Sequence, residues 1–310
     1  MTIRPPIRIA IIGYGKIART EHAPAIAAHP ELALVAVVAP GGAPDAGVPV
    51  FASLAELLAA LPDGVDAVSL ATPPRVRHAI AAEAIAAGLA VLLEKPPAAT
   101  FGELQDLEAR ARAAGTCLFA AWHSQYAPAV APAAALLDGE TVTALAIEWR
   151  EDVKRWHPGQ DWIWEPEGFG VLDTGINALS IASAILPQPL FVESAEFTIP
   201  SNRQTPIAAT LHFAGGALSA GFDWRETREE VRCLTVDTAS GRRVAIHDGG
   251  ARLVVDGAEH PLGPFAEYPA LYARFAALVP ARAIAVDAAP MRILADAALI
   301  ARRLSTAPHD

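Results

Sequence analysis

The chain has 310 residues, of which 53% are hydrophobic and 19% are charged, and its formal net charge is −10. This length predicts two domains with a large core, and the scattered basic residues of an acidic chain argue against nucleic acid as a partner. Two long uncharged stretches, 113–137 and 174–192, contain prolines and polar side chains, so we expect no membrane span. The first residues lead into a strand without a signal-peptide core, and Cys117 and Cys233 lack a neighbouring metal-ligand pattern. We therefore expect a cytoplasmic protein with buried thiols and no metal.

A dinucleotide fingerprint follows the first predicted strand, Ile7–Ile12. The next segment has the G-x-G-x-x-A pattern and opens a predicted helix over 16–28; it reads Gly13-Tyr14-Gly15-Lys16-Ile17-Ala18. The first glycine permits a tight turn, the second lets the main chain approach a pyrophosphate, and the alanine allows close helix–strand packing. With the pyrophosphate at the helix N-terminus, we expect cofactor contacts from Gly13, Tyr14, Gly15, Lys16 and Ile17.

Strands and helices alternate through the rest of the first 123 residues. Hydrophobic runs predict strands over 34–38, 67–70, 90–93 and 117–121, and the intervening segments predict helices over 53–61, 75–87 and 100–114. This alternation is typical of a parallel, doubly wound sheet, so we predict an α/β Rossmann domain over residues 1–123.

The end of the second strand bears on the choice of cofactor. An NAD site usually has an acidic residue there and an NADP site a basic one, but this chain has Ala39 and Pro40. Asp45 is close in sequence but follows a Pro/Gly-rich turn, where a solvated loop residue is expected. Because no cation is in place for a 2′-phosphate, the sequence favours NAD slightly, with NADP or dual use left open.

Lys95 follows the apolar strand Ala90–Leu93, in the sequence Glu94-Lys95-Pro96, and is one of three lysines in the chain. Lysine is a compact charge that can lose its proton when desolvated, whereas arginine stays protonated. Ligands bind at the carboxyl ends of parallel strands, and Thr72-Pro73 follows the third strand in the same way. The alternatives are an ordinary surface lysine and, at Pro73, a simple turn into a helix.

The second half has a different pattern of elements. It predicts helices over 128–137 and up to Leu186, and closing helices over 268–278 and 290–304, the last of which could return to the first domain. Between them, Gly/Asp-rich turns separate predicted strands over 141–149, 195–199, 208–213, 217–222, 233–237, 244–247 and 252–255. We therefore predict, over residues 124–310, an α/β domain with an open, mainly antiparallel sheet.

Aromatic residues are concentrated at the start of this second half. Five of the six tryptophans fall between Trp122 and Trp164, near Glu151 and His157. Such a group fits either a protein core or the aromatic wall of a sugar pocket with convergent polar groups.

Asp173 and Asn177 are four residues apart in a predicted apolar helix. At this spacing both side chains lie on one face of the helix, where a polar ligand would meet them. The alternative is that Asp173 or Thr174 only caps the helix N-terminus.

Together these motifs resemble the glucose-fructose oxidoreductase/inositol dehydrogenase/rhizopine-catabolism (Gfo/Idh/MocA) family. The resemblance rests on the G-x-G-x-x-A start, on Glu94-Lys95-Pro96 and on Asp173-x-Gly175-x-Asn177, and it extends over essentially the whole chain. It implies a Rossmann domain followed by an α/β domain whose open antiparallel sheet is often used for dimers, so a homo-oligomer is left open. Much of the family has histidine at the position of Asn177. This asparagine, with the segments at Trp122, Glu151 and 155–166, resembles the L-arabinose/D-galactose 1-dehydrogenase branch.

The resemblance implies NAD(P)-dependent oxidation of the C1 hydroxyl of an aldopyranose, D-galactose or L-arabinose, to a lactone. It implies that Lys95, Asp173 and Asn177 surround this hydroxyl. We favour Asp173 as the base, Lys95 as support for the developing alkoxide and Asn177 as the orienting hydrogen bond. A neutral Lys95 acting as the base with Asp173 as its partner is left open.

The remaining contacts are also implied by the resemblance. Cofactor contacts are expected from Ala39, Thr72, Pro73, His78, Glu94 and Lys95. Sugar contacts are expected from His123, Glu151, Trp156 and His157. Two alternative functions are a family dehydrogenase acting on another ring hydroxyl, such as that of an inositol, and a non-catalytic NAD(P)-dependent sugar sensor.

Overall fold

The structure is a computed structural model that describes residues 5–226 and 228–309. The chain divides into two compact units. The first comprises the residues up to His123 together with Tyr268–Ala288, and the second comprises Ser124–Glu267 and the residues from Ala289 onwards. The sequence left open a return of the last helix to the first domain, whereas the segment that joins the first unit is Tyr268–Ala288.

The strands in chain order are β1 (Ile7–Ile12), β2 (Leu32–Val38), β3 (Val50–Phe51), β4 (Ala67–Leu70), β5 (Ala90–Glu94), β6 (Leu118–Ala121), β7 (Val142–Arg150), β8 (Val192–Pro200), β9 (Ala208–Phe213), β10 (Ala217–Asp223), β11 (Val231–Thr238), β12 (Arg243–His247), β13 (Arg252–Val255), β14 (Ala258–His260), β15 (Ile284–Ala285) and β16 (Arg302–Thr306).

The α-helices are α1 (Ala23–Ala28), α2 (Leu54–Ala60), α3 (Pro74–Ala86), α4 (Phe101–Ala114), α5 (Val130–Leu137), α6 (Val153–Trp156), α7 (Leu172–Ile185), α8 (Glu267–Ala281) and α9 (Ala289–Ile300). Short 3-10 helices lie at His123–Tyr126, Asp161–Trp164, Pro166–Gly168 and Asp248–Gly250. The helix after the fingerprint contains a π turn, Ala18–His22, immediately before α1. π turns inside helices often occur at functional sites.

The first unit is built on a parallel sheet with the strand order β15-β6-β5-β4-β1-β2-β3. Its ladders are all parallel among the described residues. β4, β5 and β6 are buried along their whole length, which explains why they have continuous apolar sequences. Because the strands are parallel, the residues after β1, β2, β4 and β5 all emerge at one edge of the sheet. The predicted doubly wound sheet is confirmed.

The second unit contains a mixed sheet with the order β14-β13-β12-β11-β7-β10-β9-β8-β16. The β7–β10 and β8–β16 pairs are parallel, and the other ladders are antiparallel. Buried and exposed residues alternate along β9, as expected for a sheet with one covered face. The almost completely buried α7 packs on this sheet: a Cβ at Gly175 would lie 3.1 Å from the ring of Phe222. The prediction of a mainly antiparallel sheet is confirmed.

The predicted helix over 290–304 is wrong at its C-terminal end. The helix ends at Ile300, and Arg302–Thr306 forms β16, which pairs in parallel with β8. This pairing joins residues about 100 positions apart, so the local helical pattern does not reveal it.

Two further sequence-based expectations concern the thiols and the uncharged stretches. Cys117 is buried and Cys233 is half-buried, and both are free thiols. Burial raises the pKa of the Cys117 thiol to about 12. Within residues 5–226 and 228–309, every helix is too short or too polar to cross a membrane.

Candidate active site

The fingerprint loop has the geometry that a dinucleotide requires. Gly13 has φ +88°, and a Cβ there would lie 2.9 Å from the carbonyl oxygen of Ala71, so only glycine fits. Its N–H donates to Val38 at 2.9 Å, which ties the loop to the end of β2. Gly15 is exposed and has open space where a side chain would begin, as required for a close approach of phosphate. This loop therefore fits the pyrophosphate of a dinucleotide cofactor.

The residues around this loop differ in their accessibility. Lys16 and Ile17 are exposed and Tyr14 is half-buried. At the end of β2, Ala39 is half-buried, and Asp45 is exposed, as expected for a solvated loop residue. The choice between NAD and NADP stays a prediction.

Arg77 links two loops at the carboxyl edge of the first sheet, and the sequence did not single it out. It is only 3% exposed. Its guanidinium donates to the main-chain carbonyls of Thr72, Glu94 and Pro96. Thr72 follows β4, and the Glu94–Pro96 segment follows β5, so one side chain fixes both loops. The sequence could have indicated the burial of Arg77 through its helical spacing, because it lies on the same face of α3 as the buried residues Pro74, Ala81, Ala84 and Ile85.

The side chain of Glu94 faces the interior of the first unit. It is 4% exposed, and its Oε2 accepts the main-chain N–H of Lys95 at 2.6 Å. Its Oε1 accepts the hydroxyl of Tyr268 at 2.6 Å and lies 3.3 Å from Nε2 of His22. Both carboxylate oxygens are therefore engaged within the protein. No observation tests the cofactor contact expected of Glu94, which stays a prediction. Lys95 itself is half-buried.

The environment of Glu94 predicts a pH dependence of stability. Burial raises the pKa of Glu94, but His22, His123 and the Tyr268 hydroxyl together lower it by more, and the pKa falls to about 2. Because the folded protein holds this carboxyl below its usual pKa, ionisation stabilises the fold above about pH 5. This contribution is lost as the pH falls towards 2.

We therefore expect the thermal midpoint of the wild type to approach that of Glu94→Gln as the pH is lowered from 6 to 3. The control is Glu83→Gln, at an exposed position of α3. A constant difference between wild type and Glu94→Gln over this range would contradict the prediction.

His78 and Thr72 lie on or beside α3. Nε2 of His78 is 2.7 Å from Oδ2 of Asp106 on α4. Asp106 also accepts a hydrogen bond from Arg110. Both contacts lower the pKa of the Asp106 carboxyl, and the contact with Arg110 has the larger effect. Thr72 and Pro73 form the short connection between β4 and α3, so the turn into a helix is confirmed. Their predicted cofactor contacts are compatible with this position.

In the second unit, α7 brings Asp173 and Asn177 onto one face. Asp173 is in the first turn and is 4% exposed, and Asn177 is half-buried one turn later. The helix begins after Val171 without a side-chain cap, and the Thr174 hydroxyl instead donates to Val171 and accepts from the Trp224 indole at 2.9 Å. The capping explanation of Asp173 and Thr174 is therefore wrong.

His157 lies beside Asp173. Its Nε2 is 4.0 Å from Oδ2 of Asp173, and its Nδ1 is 3.4 Å from Oε1 of Gln160. The ring also packs on Trp224, with centroids 5.2 Å apart. A buried carboxylate beside an imidazole offers two groups, either of which can act as a general base on a substrate hydroxyl within hydrogen-bond reach.

The loop before α7 is held tightly in place. Gly170 has φ +56°, and a Cβ there would lie 2.4 Å from the carbonyl oxygen of Pro206. The N–H of Gly170 donates to Ile163, and that of Val171 donates to Pro206. These contacts fix the start of α7, and with it the position of Asp173.

Glu151 and Trp156 have partners that the sequence did not reveal. Glu151 is buried, and its Oε2 accepts from Nε of Arg232 at 2.9 Å and lies 2.7 Å from a terminal guanidinium nitrogen of the same residue. The Trp156 indole donates to Glu230 at 2.7 Å, and the Arg232 guanidinium lies 4.5 Å from the Trp156 ring centre. Glu151 is thus paired with Arg232, and Trp156 contacts both Glu230 and Arg232. The sugar contacts expected of Glu151 and Trp156 stay predictions.

The tryptophans were interpreted either as protein core or as the aromatic wall of a sugar pocket, and the structure gives a different answer for different residues. Trp122, Trp149, Trp164 and Trp224 belong to the buried core, and Trp162 is exposed. Trp156 is half-buried and remains the candidate for an aromatic wall. His123 is half-buried in the first unit and stacks on Tyr268, with centroids 5.5 Å apart.

Comparison with known proteins identifies the family. Residues 7–121 match the model of the Gfo/Idh/MocA oxidoreductase family, described by its NAD-binding Rossmann fold. A galactose 1-dehydrogenase from Pseudomonas fluorescens is 44% identical over 303 residues, which cover 97% of each chain. The chain belongs to the Gfo/Idh/MocA family. The predicted family, fold class and oxidoreductase activity with a nicotinamide dinucleotide are thereby confirmed.

Comparison with solved structures extends the similarity. The crystal structure of a D-galactose-1-dehydrogenase from Rhizobium etli has 44% identity and a TM-score of 0.94, with full coverage of both chains. KijD10, a 3-ketoreductase from Actinomadura kijaniata solved with NADP and TDP-benzene, has 19% identity and a TM-score of 0.80, covering 97% of this chain and 99% of its own. The second similarity shows a shared fold only.

Proposed function

We propose that this protein oxidises the anomeric C1 hydroxyl of an aldopyranose, D-galactose or L-arabinose, to the lactone, with NAD or NADP as hydride acceptor. The support from sequence is a galactose 1-dehydrogenase with 44% identity over 97% of both chains. The structural observation that carries the proposal is the polar face of α7, where buried Asp173 lies beside His157 and shares a face with Asn177.

Each proposed catalytic residue has a chemical task. The bound nicotinamide supplies the hydride acceptor, and the chain must remove the hydroxyl proton and stabilise the developing alkoxide. We assign proton removal to Asp173, whose buried carboxylate has the His157 imidazole 4.0 Å away. We assign the alkoxide to the Lys95 ammonium and the orientation of the hydroxyl to the Asn177 amide. The competing assignment makes a neutral Lys95 the base, with Asp173 as its partner.

The remaining sugar hydroxyls are assigned to the other residues that the family resemblance implies. His157 is the first candidate, because its ring is near Asp173. Glu151, Trp156 and His123 are the others, with Arg232 holding the first two in place. D-Galactopyranose and L-arabinopyranose differ only in the C5 substituent, and a single missing group is poorly rejected unless a hydrogen bond reads it. We therefore expect turnover of both sugars.

The test is steady-state formation of NADH or NADPH with a panel of aldoses and inositols. The proposal expects turnover of D-galactose and L-arabinose and appearance of the lactone or its aldonic acid. Turnover of an inositol without any aldose would replace it with the second dehydrogenase function. Sugar and dinucleotide binding without turnover would favour a sensor.

Arg77 supplies a prediction on the loop that carries Lys95. Replacement by methionine removes the donors to the carbonyls of Thr72, Glu94 and Pro96, so both loops lose their common anchor. We expect kcat to fall about 10- to 100-fold, because misplacement of a reacting group by about 1 Å can cost that much. Steady-state kinetics measure the effect, and partial recovery in Arg77→Lys would support an anchoring role. The matched control is Arg75→Met, at an exposed position of the same helix. Equal kinetics for Arg77→Met and Arg75→Met would contradict the prediction.

A further inference from the structure

A buried polar cluster lies behind the Lys95 loop in the first unit. It comprises His22, Ser69, Glu94, Tyr268 and Tyr272, all of them buried. His22 is fully buried and comes from the π turn after the fingerprint, and the two tyrosines lie one turn apart on α8. The cluster thus joins the fingerprint helix, β4, the end of β5 and a helix about 170 residues further along the chain.

The hydrogen bonds of His22 orient it towards Glu94. Its Nδ1 is 2.7 Å from the Tyr272 hydroxyl and 3.1 Å from the Ser69 hydroxyl, and Tyr272 donates to Ser69 at 3.0 Å. The ring nitrogen Nδ1 thus faces these two hydroxyls, and Nε2, on the other side of the ring, lies 3.3 Å from Oε1 of Glu94.

Glu94 transmits this arrangement to Lys95. One carboxylate oxygen of Glu94 accepts a hydrogen bond from the Tyr268 hydroxyl at 2.6 Å and faces His22. The other oxygen accepts the main-chain N–H of Lys95 at 2.6 Å. Hydrogen bonds to a charged carboxylate are short and strong, so each one restrains the carboxylate plane. Rotation of Glu94 would break the contact with the Lys95 main chain.

We propose that Tyr268 is a positioning residue that fixes the Lys95 main chain through the Glu94 carboxylate. The consequence for catalysis rests on the role proposed above for Lys95, but the effect on the main chain does not. Tyr268 also packs on the ring of His123 and edge-on against His22, and these ring contacts remain when only the hydroxyl is removed.

The chain contains a matched control for this proposal. Tyr272 is on the same helix, is equally buried and belongs to the same cluster, but its hydroxyl contacts Ser69 and His22 and not Glu94. Burial raises the pKa of Tyr272, so its phenol stays protonated. Tyr268→Phe and Tyr272→Phe therefore remove the same atom from the same helix, and only Tyr268→Phe removes a donor to Glu94.

The experiment uses the small number of lysines. Labelling with ¹⁵N-lysine gives three main-chain amide signals, from Lys16, Lys95 and Lys154, because these are the only lysines in the sequence. The Lys95 signal is assigned by its loss in Lys95→Arg. In the wild type we expect its proton to lie far downfield and to exchange slowly, as a short bond to a carboxylate requires. A Lys95 amide with an ordinary shift and rapid exchange would overturn the proposal without any variant.

The two tyrosine variants complete the test. Tyr268→Phe is expected to move the Lys95 signal upfield and to lower kcat about 10-fold with little change in either KM. In Tyr272→Phe, Ser69 still contacts Nδ1 of His22 and Glu94 keeps its bond from Tyr268, so we expect a much smaller change in the Lys95 signal and in kcat, and a lower thermal midpoint. Equal effects of the two variants, or an unmoved Lys95 signal in Tyr268→Phe, would overturn the proposal. The amide measurement needs no sugar, so failure of every aldose as a substrate would refute the proposed function alone.

Discussion

Lys95→Arg is expected to lower kcat for aldose oxidation about 100-fold or more, because loss of one well-placed stabilising group at a developing oxyanion typically costs about 10²- to 10³-fold. Arginine keeps the positive charge, but its guanidinium is wider and planar, and it cannot lose its proton. Lys95 is half-buried, and its main chain is held after β5 by Arg77 and Glu94. We therefore expect that the larger group will not take up the position of the ammonium. The measurement is the initial rate of NADH or NADPH formation with saturating sugar and cofactor.

A lysine elsewhere in the chain supplies the control for this substitution. Lys154 is exposed in α6, and Lys154→Arg should leave kcat unchanged. Full kcat in Lys95→Arg would show that a positive charge suffices at this position. The proposed alkoxide support by a compact ammonium, and the alternative of a neutral lysine base, would then both be wrong.

Asp173→Asn is expected to lower kcat about 10³-fold, with a smaller change in the KM for sugar. Asparagine has the same shape and retains a hydrogen bond to a hydroxyl, but it cannot accept the proton, and a positioned base contributes about 10²- to 10⁴-fold. The loss should therefore appear in the chemical step. A larger primary isotope effect with C1-deuterated sugar than in the wild type would support this location of the loss.

Chemical rescue separates the two candidate bases. If Asp173 is the base, added formate should restore part of the activity of Asp173→Ala, and added amine should do little for it. If Lys95 is the base, a primary amine should restore part of the activity of Lys95→Ala. Asp161→Asn, at an exposed position in the same unit, controls for a general effect of lost negative charge. An Asp173→Asn variant with nearly full kcat would rule out Asp173 as the base.

The sequence predicted best where local physics decides the structure. The turn at Gly13 needs a residue without a Cβ, and the buried strands β4 and β5 have continuous apolar sequences, so both were recognisable. Asp173 and Asn177 were placed on one helix face by their spacing alone, and the structure agrees. The other cofactor and sugar contacts were implied by the family resemblance, and the roles of these residues stay proposals.

The sequence failed where contacts between distant residues decide the structure. Arg77 appears as an ordinary helix residue until its carbonyl partners from two loops are seen. Tyr268 reaches Glu94 from 174 positions away, and Arg232 reaches Glu151 from 81 positions away. The strand Arg302–Thr306 exists because the edge of β8 is available to pair with it. The position of Arg77 on the buried face of α3 is periodic, but the partners in these contacts leave no periodic pattern in the sequence.

The most direct test of the proposed reaction follows deuterium from C1 of the sugar. With [1-²H]-D-galactose as the substrate, oxidation at C1 should transfer the deuterium to the reduced nicotinamide, slow the chemical step and yield galactonolactone without deuterium. Recovery of the deuterium in the oxidised sugar, while NADH or NADPH still forms, would show that another carbon reacts and would contradict the proposed reaction.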